Sequence, residues 1–140
     1  FVLVSDHGHN TPKASYPQDL KSYRIPLLMY SALIKPAFRG KKISKPGSQA
    51  DIATTLLDQL SWPTDSFPFS RNLLSNRTKG GAFLSTIRGY GIVDELGGFL
   101  YHFDQKKTTS NTYKSAKECN EGSSLAKACL FTLFQYFQAL

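Results

Sequence analysis

The feature that most constrains the fold is an apolar run at the start of the sequence that ends in a turn signal. Residues 1–5 read Phe-Val-Leu-Val-Ser, and Asp6, His7 and Gly8 follow. β-branched and aromatic residues without polar alternation predict a strand buried on both faces, as in the middle of a parallel sheet. A central strand needs neighbours, and residues 26–30 supply one further candidate. We therefore expect these 140 residues to be the C-terminal part of a longer chain.

The composition predicts one packed domain and leaves the class of partner open. Hydrophobic residues make up 41% of the chain and aromatic residues 13%, which excludes a disordered protein. The formal net charge is +7, and residues 1–50 contain eight of the 17 basic residues but only two of the 10 acidic ones. Such a segment favours an anionic partner such as phosphate, sulfate, nucleic acid or a membrane surface. Because no nucleic-acid-binding motif accompanies the charge, we expect no nucleic-acid partner.

The rest of the chain predicts irregular segments, one clear helix and several hairpins. Residues 8–24 and 35–47 are rich in Gly, Pro and polar residues, which is typical of loops. Residues 48–51 form a capping-box variant before a helical pattern that Pro63 ends. The other predicted elements are antiparallel strands at 82–87, 89–93 and 98–103, a polar connection at 104–124, and an apolar helix from about 125 to 140. That helix is shorter than the roughly 20 residues needed to span a bilayer.

The candidate chemistry is concentrated directly after the first strand. Asp6 and His7 follow this strand, and the carboxyl ends of strands are where open α/β sheets place catalytic groups. A carboxylate and an imidazole suit Zn²⁺ or Mn²⁺, and Gly8 permits the backbone to turn. Two ligands do not complete a metal site, so others must come from elsewhere. His9 could orient a ligand or contact an anion, whereas His102 lies in a predicted strand and is expected to be half-buried.

A simpler interpretation of the same residues stays open. Asp6 could cap the amides of a plain turn, with His7 exposed to solvent and without a ligand. The basic segment 35–45 could likewise be an ordinary solvated surface.

Four sequence blocks in one order resemble the alkaline phosphatase and sulfatase superfamily. They are the strand and turn at 1–9, the R-I-P-L-L strand at 23–30, the S-Q-x-D-I-A helix at 48–60 and the S-R-N-L-L element at 69–74. The branch that they resemble most is the bacterial sulfatases related to lipoteichoic acid synthase, the phosphoglycerol transferases. The resemblance implies an α/β fold, the C-terminal portion of an alkaline-phosphatase-like sandwich. It also implies that the chain contains part of a mostly parallel central sheet, antiparallel hairpins and a C-terminal helix.

The resemblance also implies a division of the chain and a class of reaction. Residues 1–104 would be the C-terminal part of a sulfatase-like catalytic domain, and residues 105–140 a polar connection followed by the apolar helix. The parent enzyme would be a metal-dependent hydrolase or transferase acting on sulfate or phosphate esters. Its location would be the extracytoplasmic face of a bacterial cytoplasmic membrane.

The roles of individual residues follow from the same resemblance. Asp6 and His7 would hold part of a divalent metal site for Mn, Zn, Mg or Ca. His9, Lys13 and Arg24 would contact the anionic ester or lie around the metal ligands. In this family a Thr, Ser or modified Cys nucleophile and further acidic ligands precede the Asp-His pair. The 140 residues would therefore need the missing N-terminal part of the catalytic domain and be inactive alone.

The competing interpretation is a non-catalytic module. Its basic segment 35–45 would touch anionic envelope lipid or polymer, and Asp6 and His7 would be a relic.

Overall fold

The computed structural model describes residues 1–8 and 19–139 as a mixed α/β arrangement of two sheets and two α-helices. The strands are β1 (Val2–Val4), β2 (Leu27–Met29), β3 (Gly81–Thr86), β4 (Gly89–Asp94), β5 (Gly98–His102) and β6 (Lys107–Asn111). The helices are α1 (Asp51–Gln59) and α2 (Ala116–Gln138), with short 3-10 turns at Leu20–Tyr23 and Pro36–Phe38. The α/β class, the hairpins and the C-terminal helix predicted from the sequence are confirmed.

The larger sheet is an antiparallel meander in the order β3-β4-β5-β6. Its hairpins form where the sequence predicts them, because Gly and polar residues separate short apolar runs. A bulge between Leu100 and Tyr101 shifts the register of β5 against β6. His102 ends β5 and is partly buried, as expected for a histidine in a strand.

The hydrophobic core lies between this sheet and α2. Tyr90, Ile92, Phe99 and Ala126 are its buried members, and Ala126 is fully shielded from solvent. The ring of Tyr90 meets that of Phe99 edge to face at a centroid distance of 6.0 Å, a favoured geometry for aromatic pairs. A small alanine side chain lets the helix approach the aromatic strands closely. The core is therefore assembled from the part of the chain that follows residue 81.

The first strand departs from the sequence prediction in its burial. β1 pairs with β2 in an antiparallel two-stranded sheet, and its central residue Leu3 is 62% exposed. The predicted burial on both faces is wrong for this chain by itself, because no helix of the described residues covers either face of the pair. Every strand pair among the described residues is antiparallel, so the parallel central sheet stays a prediction.

The polar stretch 104–124 also differs from its prediction as a connection. Part of it forms β6, and α2 begins at Ala116 rather than near residue 125. The helix starts early because Ser115 and Glu118 form a complete capping box, each side chain bonding the other residue's backbone N–H. Strand β6 forms because alternate residues of a polar edge strand face solvent without cost. The division of the chain at residue 104 stays a prediction.

Neither α1 nor α2, the helices of the described ranges, combines the length and apolar character that crossing a bilayer requires. Helix α2 has enough residues, but lysine, glutamate and other polar side chains interrupt its apolar surface.

Tyr113 connects the start of α2 to the turn between β4 and β5. Its hydroxyl donates a 2.9 Å hydrogen bond to Asp94 Oδ2, and its ring lies against Gly122, where a Cβ would collide with it. Burial raises the pKa of Tyr113. The hydrogen bond to Asp94 raises this pKa further, and so does the negative charge of the Asp94 carboxylate. The folded protein thus holds this proton more tightly than the unfolded chain, whose tyrosine pKa is about 10.

This linkage predicts a loss of stability in alkali. The contribution of Tyr113 is fully present below pH of about 10 and is lost as the pH rises above the unfolded pKa, since the unfolded state then binds fewer protons. Urea unfolding at pH 8, 9, 10 and 11 measures the effect, and Tyr113→Phe should flatten the decline above about pH 10. Tyr30→Phe, at a 72% exposed tyrosine, is the matched control and should leave the decline as in the wild type. Equal slopes for Tyr113→Phe and wild type would contradict the linkage.

Candidate functional site

The candidate site is the Asp-His-Gly turn, residues 5–8, directly after β1. Two short bonds shape this turn: the His7 backbone N–H donates to Asp6 Oδ1 at 2.9 Å, and the Ser5 hydroxyl donates to the His7 carbonyl at 2.8 Å. The Asp6 and His7 side chains are 87% and 75% exposed. Local side-chain bonds to the backbone therefore shape the turn, while most of the Asp6 and His7 side-chain surface is exposed to solvent.

The two candidate metal ligands lie on the same side of the turn. His7 Nδ1 is 2.7 Å from the carbonyl oxygen of Gly8, and only a protonated nitrogen can donate to a carbonyl. In the neutral imidazole this bond assigns the proton to Nδ1 and leaves the Nε2 lone pair free. His7 Nε2 is 3.7 Å from Asp6 Oδ2. Because ligand atoms about 2 Å from one ion lie roughly 3 to 4 Å apart, this pair fits a shared cation.

The described residues supply only these two donors to the site. Among residues 1–8 and 19–139, no group of three or more His, Cys, Asp or Glu side chains is arranged to hold a metal ion. His9 and Lys13 lie outside the described residues. Arg24 is exposed and directly follows the 3-10 turn Leu20–Tyr23. Asp6 and His7 alone do not form a metal site in the described part of the chain, and their role as ligands stays a prediction.

Gly8 is required by a close approach of two backbone segments. A Cβ at this position would overlap the carbonyl oxygen of Ser22 and contact Tyr23. Because a carbonyl oxygen of the main chain cannot move aside as a flexible side chain does, any larger residue would displace the turn from the Leu20–Tyr23 segment. The glycine of the Asp-His-Gly sequence therefore packs this turn against the following segment of the chain.

The turn is also held by Gln49, just before α1. The Gln49 side-chain amide nitrogen donates to the carbonyl oxygens of Ser5, at 2.8 Å, and Asp6, at 3.0 Å. Both amide hydrogens are thereby used, one for each carbonyl. These are the side-chain contacts between the α1 region and the Asp-His-Gly turn, and they join residues more than 40 positions apart.

Helix α1 is fixed by an ion pair between the buried Asp51 carboxylate and Arg71, whose side chain is partly exposed. Asp51 is fully buried, and its two carboxylate oxygens accept from the Arg71 backbone N–H at 2.8 Å, Arg71 Nε at 3.1 Å and Arg71 Nη2 at 2.9 Å. The Arg71 guanidinium also donates to the carbonyl of Gly81 at the start of β3. A carboxylate that is shielded from water needs such hydrogen bonds, because burying an unpaired charge costs several kcal/mol of folding free energy. The pair therefore ties α1 to both the 70–74 segment and the larger sheet.

The predicted capping box at residues 48–51 is only half formed. The Ser48 backbone N–H donates to Asp51 Oδ2 at 2.9 Å, as a capping box requires. The Ser48 hydroxyl, however, lies 3.3 Å from the same carboxylate oxygen and donates to it instead of accepting from the helix backbone. The residue that directly precedes the helix is Ala50, which has helical dihedral angles and no side chain that could cap it. The helix ends beyond Gln59, where Ser61 adopts a left-handed φ of 56°, two residues before the predicted stop at Pro63.

The basic segment 35–45 is largely engaged in internal contacts. Lys35 forms a 2.9 Å ion pair with Asp58. The Arg39 guanidinium donates to the carbonyls of Ile34 and Ala32. The Lys45 ammonium donates to the carbonyl of Ser75. Three of its five cations therefore have partners within the chain, which weakens the interpretation of this segment as a polymer-binding surface.

Comparison with known proteins is informative for the first part of the chain. The family model described as Sulfatase matches residues 1–61. This match supports the resemblance to the sulfatase and alkaline phosphatase superfamily and a hydrolase of sulfatase type. It includes β1, the Asp-His-Gly turn, β2 and α1, and it covers 61 of the 140 residues. No curated protein and no solved structure matches the chain.

Sequence reasoning missed two residues that support the site. Gln49 lies in the S-Q-x-D-I-A block at 48–60, but the sequence assigns its side chain no role. Arg71 stands in another block, eight residues after the predicted helix stop at Pro63. The available signal was an acidic residue in the first turn of a helix, which requires a donor when it is buried. The sequence alone does not reveal that Asp51 is buried, and hence gave no reason to look for an arginine partner.

Proposed function

We propose that this chain contributes Asp6 and His7 to the divalent-metal site of a sulfatase-type enzyme that acts on sulfate or phosphate esters. The single observation that supports the proposal most is the 3.7 Å separation of Asp6 Oδ2 and His7 Nε2 on an exposed turn. This turn lies within the segment that the Sulfatase family model matches. The finer proposal is a phosphoglycerol transferase related to lipoteichoic acid synthase, working at the extracytoplasmic face of a bacterial membrane.

The chain's own residues have separate tasks in this proposal. The Asp6 carboxylate and the His7 imidazole bind the cation, and the bond from His7 Nδ1 to Gly8 presents Nε2 as the ligand. A bound divalent cation would neutralise charge on the ester oxygens and lower the pKa of a nearby hydroxyl nucleophile. His9, Lys13 and Arg24 would contact the anionic ester. The nucleophile and the remaining ligands would come from the N-terminal part of the catalytic domain, outside these 140 residues.

The first test is turnover by the purified 140-residue chain. We expect no hydrolysis of aryl sulfate or phosphodiester substrates with Mn²⁺, Zn²⁺, Mg²⁺ or Ca²⁺ present, because two ligands without a nucleophile cannot form a covalent intermediate. Activity should appear only in a longer polypeptide that carries the upstream segment, and Asp6→Ala should abolish it there. Asp65→Ala, at an exposed aspartate, is the matched control and should retain activity. Turnover by the isolated chain would contradict the proposal.

The second test is metal binding by the same chain. We expect an Mn²⁺ affinity in the millimolar range, since two protein ligands leave most of the coordination sphere to water. Line broadening of the His7 ring resonances by Mn²⁺ measures it, and the broadening should be lost in Asp6→Ala and kept in Asp65→Ala. Micromolar affinity in the isolated chain would mean that the ligand set is already complete and would contradict the proposed division of the site. Absence of any Mn²⁺ effect at His7 would contradict the proposed metal role.

A further inference from the structure

We infer that Gln49 is a positioning residue for the metal ligands and that the ion pair of the buried Asp51 with Arg71 holds Gln49 in place. The inference rests on the proposed metal role of Asp6 and His7 and extends it to a side chain that binds neither metal nor substrate. The observation behind it is that the Gln49 amide group contacts the two carbonyls on either side of the Asp6 Cα.

The Gln49 amide contacts the backbone of the turn on both sides of the Cα that carries the Asp6 side chain. The carbonyl of Ser5 precedes the Asp6 Cα, and the carbonyl of Asp6 follows it. Bonds from one nitrogen to both carbonyls fix the two peptide planes on either side of that Cα relative to each other. The direction of the Asp6 side chain depends on those planes, and the second plane also carries the N–H of His7.

The opposite end of the linkage is anchored by hydrogen bonds on both sides of Gln49, although Gln49 itself is exposed. Gln49 lies between Ser48, whose backbone N–H donates to Asp51, and Asp51, which is fully buried and bound to Arg71 through both carboxylate oxygens. The Gln49 main chain therefore lies within two residues of a buried carboxylate that has several hydrogen-bond partners. A side chain with three rotatable bonds holds the turn in place only if its own backbone is held, and the bonds to Asp51 do this.

The chemistry of the contacts requires a donor at this position. Both partners are main-chain carbonyl oxygens, which only accept hydrogen bonds. If the Gln49 amide were flipped, its oxygen would face the two carbonyl oxygens and be repelled by them. The position of the –NH₂ group therefore follows from its partners. Leucine has a similar size to glutamine but no donor, and it adds no charge that would itself attract a cation. Gln49→Leu therefore removes the two bonds and changes little else.

The test compares Gln49→Leu with wild type and with Gln105→Leu, the same change at an exposed glutamine in the β5–β6 turn. Backbone N–H order parameters of residues 6–8 are measured by NMR in the 140-residue chain. We expect values of about 0.8 in wild type and Gln105→Leu and below about 0.6 in Gln49→Leu. The amides of β4 should keep their order in all three proteins, which shows that the fold is intact. Unchanged order at residues 6–8 in Gln49→Leu overturns the inference.

The second readout is Mn²⁺ affinity at His7, measured by line broadening of its ring resonances. Loss of a group that orients metal ligands typically weakens binding by 10- to 100-fold, and we expect about tenfold in Gln49→Leu. In an Asp6→Ala background the Gln49 substitution should have no further effect. A disordered turn that binds Mn²⁺ as tightly as wild type overturns the positioning role. If wild type shows no Mn²⁺ effect at His7, the proposed metal role fails, and the order parameters alone decide whether Gln49 holds the turn.

Discussion

Replacing Arg71 with methionine is expected to lower the free energy of unfolding by about 3 kcal/mol, since removing the guanidinium leaves the buried Asp51 carboxylate without its compensating charge. Asp51 is fully buried and takes three hydrogen bonds from Arg71, two of them from the guanidinium. The Arg71 side chain is 42% exposed, which places the expected loss at the lower end for such pairs. Urea denaturation followed by circular dichroism measures the change.

Arg77→Met is the matched control for this prediction. Arg77 is an exposed arginine in the same loop, before β3, so its replacement removes the same charge without uncovering Asp51. We expect a change within about 0.5 kcal/mol. Losses of similar size in the two variants would show that net charge, rather than the buried pair, determines the stability. A loss below about 1 kcal/mol in Arg71→Met would contradict the stabilising role assigned to the pair.

Replacing Phe99 with alanine is expected to cost about 3 to 5 kcal/mol, the range measured for truncation of buried aromatic residues. Phe99 is 2% exposed and lies at the centre of the core formed by Tyr90, Ile92 and Ala126. Its removal leaves a cavity between the sheet and α2 and takes away the edge-to-face contact with Tyr90. The loss is measurable as a lower midpoint in urea unfolding with an unchanged slope.

Phe131→Ala separates the effect of burial from that of losing any phenylalanine. Phe131 is on α2 but is 64% exposed, so its truncation uncovers little and leaves no cavity. We expect a change below about 1 kcal/mol. If both variants lose the same stability, the contacts between α2 and β4 do not form the main core of the chain.

The elements that follow from local patterns could be predicted from the sequence. Glycines and polar residues at the ends of short apolar runs define the hairpins of β3 to β5, and the apolar spacing after Asp51 defines α1. Two of the errors concern the surroundings of a strand. β1 has the composition of a buried strand, yet the described residues provide only β2 as a neighbour, and composition does not state which neighbours are present. The polar residues of β6 gave no strand signal, because the edge of a sheet imposes little requirement on side chains.

The candidate site was predictable as a pair of residues and not as a geometry. Asp6 and His7 could be named because a carboxylate and an imidazole follow a strand directly. The bond from His7 Nδ1 to Gly8, which frees Nε2, depends on backbone angles that no residue pattern specifies. Gln49 reaches this turn across more than 40 residues. Contacts over such separations depend on the fold and are not encoded in local spacing.

The pairing of Asp51 with Arg71 has an evolutionary consequence. It crosses the end of the segment that the Sulfatase model covers, because Asp51 lies within residues 1–61 and Arg71 lies beyond them. In an alignment of homologues we expect neutral drift at one position to be tolerated only when the other changes with it, so that the two columns covary even where the surrounding sequence has diverged.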